Sequence, residues 1–204
     1  ALGGRAFMML FWPSAVTRFT TDSVSAGAFG GVDIVASVTP MQNMHMGSLP
    51  ADTSLVNMFL GNHGGSLGEV CTLALLIGFA WLLYRKVISW RIPVAYIGTV
   101  AVLSLVFFKG DNALTWMLYS VMGGGVMLGA IFMATDYATS PATPGGQVLY
   151  GIGCGVLTVL FRSVGLYPEG VTYAILLMNA ASWLLERFTP TRLFGAPQRK
   201  GGLR

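Results

Sequence analysis

The residues able to do chemistry in this chain are few and unevenly placed. The stretch DIVASVTPM (33–41) brings Asp33, Ser37 and Thr39 close together, with Pro40 immediately after. A threonine hydroxyl is a weak nucleophile until something positions and activates it. A nearby carboxylate, small neighbours and an exposed loop would suit a modifying enzyme that must grip the segment. A Thr-Pro pair in a loop is ordinarily just a turn, so from the residues alone both readings stay open. A second set is acidic. Glu69, Asp136 and Glu186 stand at the ends of apolar stretches, and Glu169 stands just before the last one. Ionisable groups at membrane depth are costly and usually face a bundle interior or a water path, which makes these acids candidates for ion coupling. The plainer reading of each is a helix-end group solvated by water. Asp136 stands out in ATDYATSP because Thr135, Tyr137, Thr139 and Ser140 offer it hydrogen-bonding partners.

Other chemistries find no footing. Two histidines, His45 and His63, lack the ligand spacings of a metal site. Cys71 and Cys154 are far apart with no C-x-x-C pair, so they read as small apolar packing residues. Neither GxGxxG nor GxxxxGKS occurs, and no Ser-His-Asp arrangement is defensible.

The elements that must position these residues are membrane helices. Only 10% of the 204 residues are charged and mean hydropathy is +0.67, whereas soluble domains carry about 25% charged residues. The fold class expected is all-α, a polytopic transmembrane helical bundle bathed in membrane lipid. About five full spans are expected, at 67–84, 92–108, 113–135, 147–164 and 170–186, each near the roughly 20 residues that cross a bilayer. Residues 1–12 read as the end of a truncated helix stopped by Pro13, so earlier helices are expected to be missing. Residues 13–66 read as an extracytoplasmic or re-entrant region with one short helix within 52–60. Residues 67–188 form the five-helix bundle, and 189–204 a basic tail.

Arg85, Lys86 and Arg91 lie between the first two spans. Arg187, Arg192, Arg199, Lys200 and Arg204 follow the fifth. With alternating spans both groups fall on one side, which the positive-inside rule makes cytoplasmic. Lys109 and Arg162 fall towards the other side, as does the 13–66 region with Thr39. This topology accounts for the net charge of +4 without nucleic acid. Glycines are dense within the spans. Gly125–Gly129 and Gly151–Gly155 have the G-x-x-x-G spacing that lets helix backbones approach closely, and close approach to a flat cofactor or an ion path is the alternative.

Three blocks carry a resemblance. NHGGSLGEVCTLALLIGFAWLLYRKVISWRIP (62–93), GAIFMATDYATSPATPGGQVLYGIGCGVLTVLFR (129–162) and LYPEGVTYAILLMNAASWLLERF (166–188) closely resemble the D subunit of the Rnf ferredoxin:NAD oxidoreductase. The B subunit of the sodium-translocating NADH:quinone oxidoreductase is the sister family, and YRKVISWRIP favours Rnf. ALGGRAF (1–7) is similar to a segment well inside family members, so the chain looks like their C-terminal two-thirds.

The resemblance implies an FMN joined through its phosphate to a threonine in a motif close to D-G-x-S-G-A-T, attached by a separate flavin transferase. At matching spacing it marks Thr39 as the acceptor, with Asp33 and Ser37 as companions. Ile34 stands where glycine is common, Ser37 replaces glycine and Val38 replaces alanine. The rival DSVSAGA (22–28) ends in Ala28, which has no hydroxyl, and Thr20 and Thr21 are weaker alternates. The resemblance further implies a noncovalent riboflavin, partner subunits of a multi-subunit complex, and electron relay that drives Na⁺ or H⁺ outward across the cell membrane. It favours Asp136 and Glu186 for ion coupling. A B-type sister subunit, a flavin-free channel or transporter, and a purely structural subunit are the alternatives.

Overall fold

The structure is a computed structural model that describes residues 2–12, 20–21, 35–36, 44, 54–61, 68, 71–107, 112–137, 139–164 and 170–189. In chain order the elements are α1 (Leu2–Phe11), β1 (Thr20–Thr21), β2 (Val35–Ala36), α2 (Leu55–Leu60), α3 (Thr72–Tyr84), α4 (Arg91–Val106), α5 (Ala113–Met122) and α6 (Val126–Leu128). After α6 come a π-helical turn (Gly129–Met133), α7 (Pro144–Val164) and α8 (Val171–Phe188). Among the described residues the architecture is helical apart from one antiparallel pair of two-residue strands, Thr20 opposite Ala36 and Thr21 opposite Val35.

Each expected span contains helix, and local chemistry sets its ends. Thr143 accepts from the Gly146 amide at 3.1 Å and Pro144 takes the first helical position, so α7 begins three residues before its apolar run. Ser54 caps α2 by accepting from the Asn57 amide at 3.3 Å, and Gly61 closes it at φ 91°. α3 starts only at Thr72, five residues later than expected. Among the described residues one helix, Pro144–Ser163, is by itself long and apolar enough to cross a membrane. A second candidate arises if α5 and the α6–π segment count as one bent span.

The third segment departs from the expected continuous helix over 113–135. Gly124 and Gly125 adopt φ 63° and 69°, a left-handed conformation that a residue with a Cβ rarely takes. The chain therefore turns by 58° between α5 and α6. Beyond the turn, the Ala134 amide bonds the Gly129 carbonyl at 2.8 Å, five residues back, which gives the π-helical turn.

α7 is the organising element. Gly146, Tyr150, Cys154 and Thr158 recur every four residues and are buried, and Arg162 continues the stripe. Leu149, Ile152, Val156 and Leu160 point outward and are exposed. Apolar groups outside and polar groups inside is the reverse of a soluble helix. It fits a helix whose outer surroundings are as apolar as its own side chains. α4 likewise exposes apolar side chains, Val94, Val102 and Leu105, while its buried stripe mixes Ile92 and Val100 with Tyr96 and Ser104.

The α4–α7 interface is glycine-lined. A Cβ at Gly151 would stand 2.8 Å from Ala95 Cβ and 2.9 Å from the Ile92 carbonyl oxygen. One at Gly155 would stand 2.6 Å from Thr99 Cβ. For this pair, helix packing explains the G-x-x-x-G spacing. Gly129 serves the same end, since a Cβ there would meet Val171 Cγ1 at 2.5 Å. Gly125, its partner in the other spacing, belongs to the turn.

A candidate functional site at the broken helix

The break between α5 and α6 is met by a charged side chain from α7. Arg162 directs Nη1 at the Ser120 carbonyl oxygen, 2.7 Å away, and Nη2 at the carbonyls of Gly123 and Gly124, at 3.0 and 3.4 Å. Sequence dictates the arrangement from both sides. Consecutive glycines end the helix, so carbonyls of its last turn aim beyond the helix end. The four-residue stride of α7 carries Arg162 on the inward stripe. A helix C-terminus bears roughly half a negative charge, and a guanidinium fork matches such an array of acceptors. α5 is ten residues long, a rise of about 15 Å, or half of a bilayer core about 30 Å thick. Backbone groups freed at a helix break must find partners, and here Arg162 supplies the donors.

A second group packs on the same half-helix. Met44 and Met58 are buried together with Trp116 and Tyr119 of α5. Met58 Cε lies 3.3 Å from where a Cβ of Gly123 would stand. Thr72 donates to the Met58 carbonyl at 3.4 Å, tying α2 to the start of α3. The region before α3 is thus in part seated on the broken helix.

Inside the bundle, Tyr96 of α4 and Thr158 of α7 bond through their hydroxyls at 2.6 Å, and Thr158 donates onward to the Cys154 carbonyl at 2.7 Å. The Tyr150 hydroxyl donates to Asn179 Oδ1 of α8. These bonds link α7 to both neighbours. Cys154 is a fully buried thiol, as a packing residue should be.

The acids lie elsewhere. Asp136, just beyond the π turn, and Glu186, in the last turns of α8, are both exposed. The Thr143 hydroxyl donates to that of Thr189 at 2.8 Å, which ties the start of α7 to the end of α8 and sets both acids at one end of the bundle. Of the neighbours expected to serve the Asp136 carboxyl, one hydroxyl is bonded elsewhere. Thr135 donates to the Ile131 carbonyl at 2.6 Å, and the amides of Thr139 and Ser140 bond the backbone carbonyl of Asp136 at 3.4 and 3.0 Å. Arg162 lies eighteen residues beyond the start of α7, about 27 Å along the helix axis and so far from both acids. Thr39, Asp33, Ser37 and Glu69 lie outside the described residues, although Val35 and Ala36 are the strand β2. Among the described residues no group of three or more His, Cys, Asp or Glu could hold a metal ion.

Sequence reasoning used Arg162 only as a topology marker and missed the break. A signal was available for each: three consecutive glycines inside an apolar run, and an arginine four residues beyond a buried threonine on a helix with that stride.

Comparison with known proteins covers nearly the whole chain. The family described as NQR2, RnfD, RnfE matches residues 1–195. The D subunit of the Na(+)-translocating ferredoxin:NAD(+) oxidoreductase complex of Acetobacterium woodii is 43% identical over 98% of this chain and 59% of its own length. The D subunit of the proton-translocating ferredoxin:NAD(+) oxidoreductase complex of Clostridium ljungdahlii is 41% identical over 94% of this chain and 59% of its own. The D subunit of the ion-translocating oxidoreductase complex of Stutzerimonas stutzeri is 41% identical over 72% and 42%. The chain therefore spans under two-thirds of the length of these relatives, and it belongs to the NQR2, RnfD, RnfE family.

Proposed function

We propose that the chain is a polytopic membrane subunit of an ion-translocating ferredoxin:NAD oxidoreductase complex, relaying electrons through an FMN joined to Thr39 while the complex moves Na⁺ or H⁺. One observation carries the reading: relatives named as the D subunit of such complexes are 41–43% identical over almost all of this chain. The exposed apolar faces of α4 and α7 support the membrane setting. The basic 85–91 connection and tail then face the cytoplasm and Thr39 the opposite side. Asp136 and Glu186, together at one end of the bundle, are the groups proposed to meet the coupling ion at the cytoplasmic mouth.

The flavin would supply reversible electron transfer, and its phosphoester would leave the ring free to exchange electrons. The chain's own task is positioning. Met44, five residues after Thr39, is buried against α2 and α5, and five residues span at most about 18 Å. The anchoring hydroxyl would accordingly belong to the region seated on the broken helix. Partner subunits, a flavin transferase and a second, noncovalent flavin complete the proposal.

Covalent attachment gives the test. The denatured protein, matured with its transferase, should fluoresce in a gel under ultraviolet light, and Thr39→Ala should reduce the signal to background. Fluorescence that persists in the variant would put the attachment elsewhere. A colourless wild-type protein with an unmodified 33–41 peptide would remove the flavin from the account.

A further inference from the structure

We propose that the end of α3 and the connection after it hold an acidic phospholipid of the cytoplasmic leaflet, with its phosphate on Arg85 and Lys86 and an acyl chain along Leu73, Ile77 and Trp81. The inference rests on the reading of the chain as a membrane subunit whose 85–91 connection is cytoplasmic. Its basis is one face of α3. Leu73, Ile77, Trp81 and Arg85 recur every four residues and are all exposed, so the face passes from aliphatic to aromatic to basic. Tyr84 is exposed beside it, its ring centre 6.2 Å from that of Trp81. The rise from Leu73 to Arg85 is about 18 Å, and one leaflet contributes about 15 Å of hydrocarbon. A phosphate at Arg85 therefore sets an acyl chain beside Ile77 and its end near Leu73. Trp81 and Tyr84 take the level between, which Trp and Tyr favour in membrane proteins.

Charge selects the occupant. No acidic residue stands between Glu69 and Asp111, so the α3–α4 hairpin carries Arg85, Lys86 and Arg91 without a carboxylate of its own. Among the described residues none of these three side chains makes an ion pair or a hydrogen bond. The helix end is closed by backbone instead, with the Lys86 amide on the Leu83 carbonyl and the Val87 amide on the Leu82 carbonyl, both at 3.0 Å. Lys86 stands at φ 54°, where glycine would be at ease. The turn thus carries a charge that its own geometry does not use. It is anchored from within, because Ile88 packs on Leu75, Met127 and Ile131, and Ser89 donates to Gln147 Oε1 of α7 at 3.1 Å. Arg85 and Lys86 are left exposed on a fixed support. A guanidinium fork matches two phosphate oxygens and an ammonium adds a point charge. Acidic lipid is what the cytoplasmic leaflet offers at this level. An acidic protein surface would answer the cations but not the aliphatic and aromatic stretch that leads to them. Charges that only orient the chain in the membrane would show no preference among lipid headgroups.

Preference is therefore what the experiment reads. The complete complex in phosphatidylcholine vesicles is photolabelled with phosphatidylglycerol that carries a photoreactive acyl chain. Label should map to residues 73–84, and unlabelled phosphatidylglycerol should compete about tenfold better than phosphatidylcholine, since each cation near a membrane surface favours an acidic lipid roughly fivefold. Arg85→Gln combined with Lys86→Gln should abolish the preference. Lys86→Gly suits the left-handed turn, so it keeps the fold while lowering the preference about fivefold. Equal competition in wild type, no label within 73–84, or an unchanged preference in the assembled double variant would overturn the proposal. If the double variant fails to assemble, an unchanged preference in Lys86→Gly overturns it alone. Inorganic phosphate that competes as well as phosphatidylglycerol would also overturn it, since the site would then recognise a free anion. So would a carbodiimide crosslink from Lys86 to a carboxylate of another subunit, which marks protein docking. Labelling needs no electron donor, so the two readings fail separately. A wild-type complex with the lipid preference but no ferredoxin-driven ion uptake defeats the functional reading alone. Ion uptake without the preference defeats only this inference.

Discussion

The glycines of α7 and those between α5 and α6 put one residue type to opposite uses. Gly151 and Gly155, four residues apart, lie on one face of a continuous helix and let α4 come close. Gly123, Gly124 and Gly125, consecutive, end a helix and turn the chain by 58°. The missing Cβ matters in both places, for space in the first and for backbone conformation in the second. Spacing decides which, because only residues three or four apart share a helix face. The first arrangement makes a rigid wall. The second exposes carbonyls that the wall's own arginine then covers, so each region completes the other.

Alanine at these positions separates the two uses. The largest loss is expected from the double change Gly151→Ala and Gly155→Ala. The new methyls would meet the Ile92 carbonyl oxygen at 2.9 Å and Thr99 Cβ at 2.6 Å, and the first of these is backbone with no rotamer to yield. Overpacking costs about 1–3 kcal/mol per site, so the melting temperature of the detergent-purified complex should fall by roughly 10 °C. An unchanged value would mean that α4 and α7 are not in close contact in the assembled complex.

That wall was legible in the sequence, and the break was not. A G-x-x-x-G pair in an apolar run predicts close packing because the spacing alone sets the face. Apolar run length likewise located the helix starts to within a few residues, except that α3 begins only at Thr72. Hydropathy averages over backbone conformation, so it carries a continuous helix straight through Gly123–Gly125 in the 113–135 window. The aim of Arg162 depends on that turn and on the rotation of α7 about its axis, and neither is encoded in any single segment. The acids show a related limit of residue type. Their types marked them as costly, yet cost depends on depth, and Asp136 and Glu186 are exposed at the end of the bundle.

At the turn itself, Gly124→Ala and Gly125→Ala have a smaller expected effect of a different kind. Each imposes a left-handed alanine at φ 63° or 69°, at a cost of about 1–2 kcal/mol, or roughly 3–6 °C in melting temperature. The strain can be relieved by straightening the break, which would carry the carbonyls of Gly123 and Gly124 away from Arg162. An unchanged melting temperature in both variants would mean that the left-handed turn does not persist in the assembled complex.

The smallest effect has the opposite sign and tests the comparison from outside. Gly98 of α4 is exposed, and no atom lies within 4 Å of where its Cβ would be. It serves neither packing nor a turn, and its outward neighbours Val94 and Val102 continue the same face. Gly98→Ala should then act through helix propensity alone, a gain of up to about 1 kcal/mol, or about 2–4 °C. The measurement reads more than stability. A gain means that lipid or detergent, which adapts to one methyl group, covers this face of α4. A loss comparable with that of Gly151→Ala means that a second helix presses on Gly98 in the complex as α7 presses on the opposite side, and α4 would then be a helix packed on two faces by glycine.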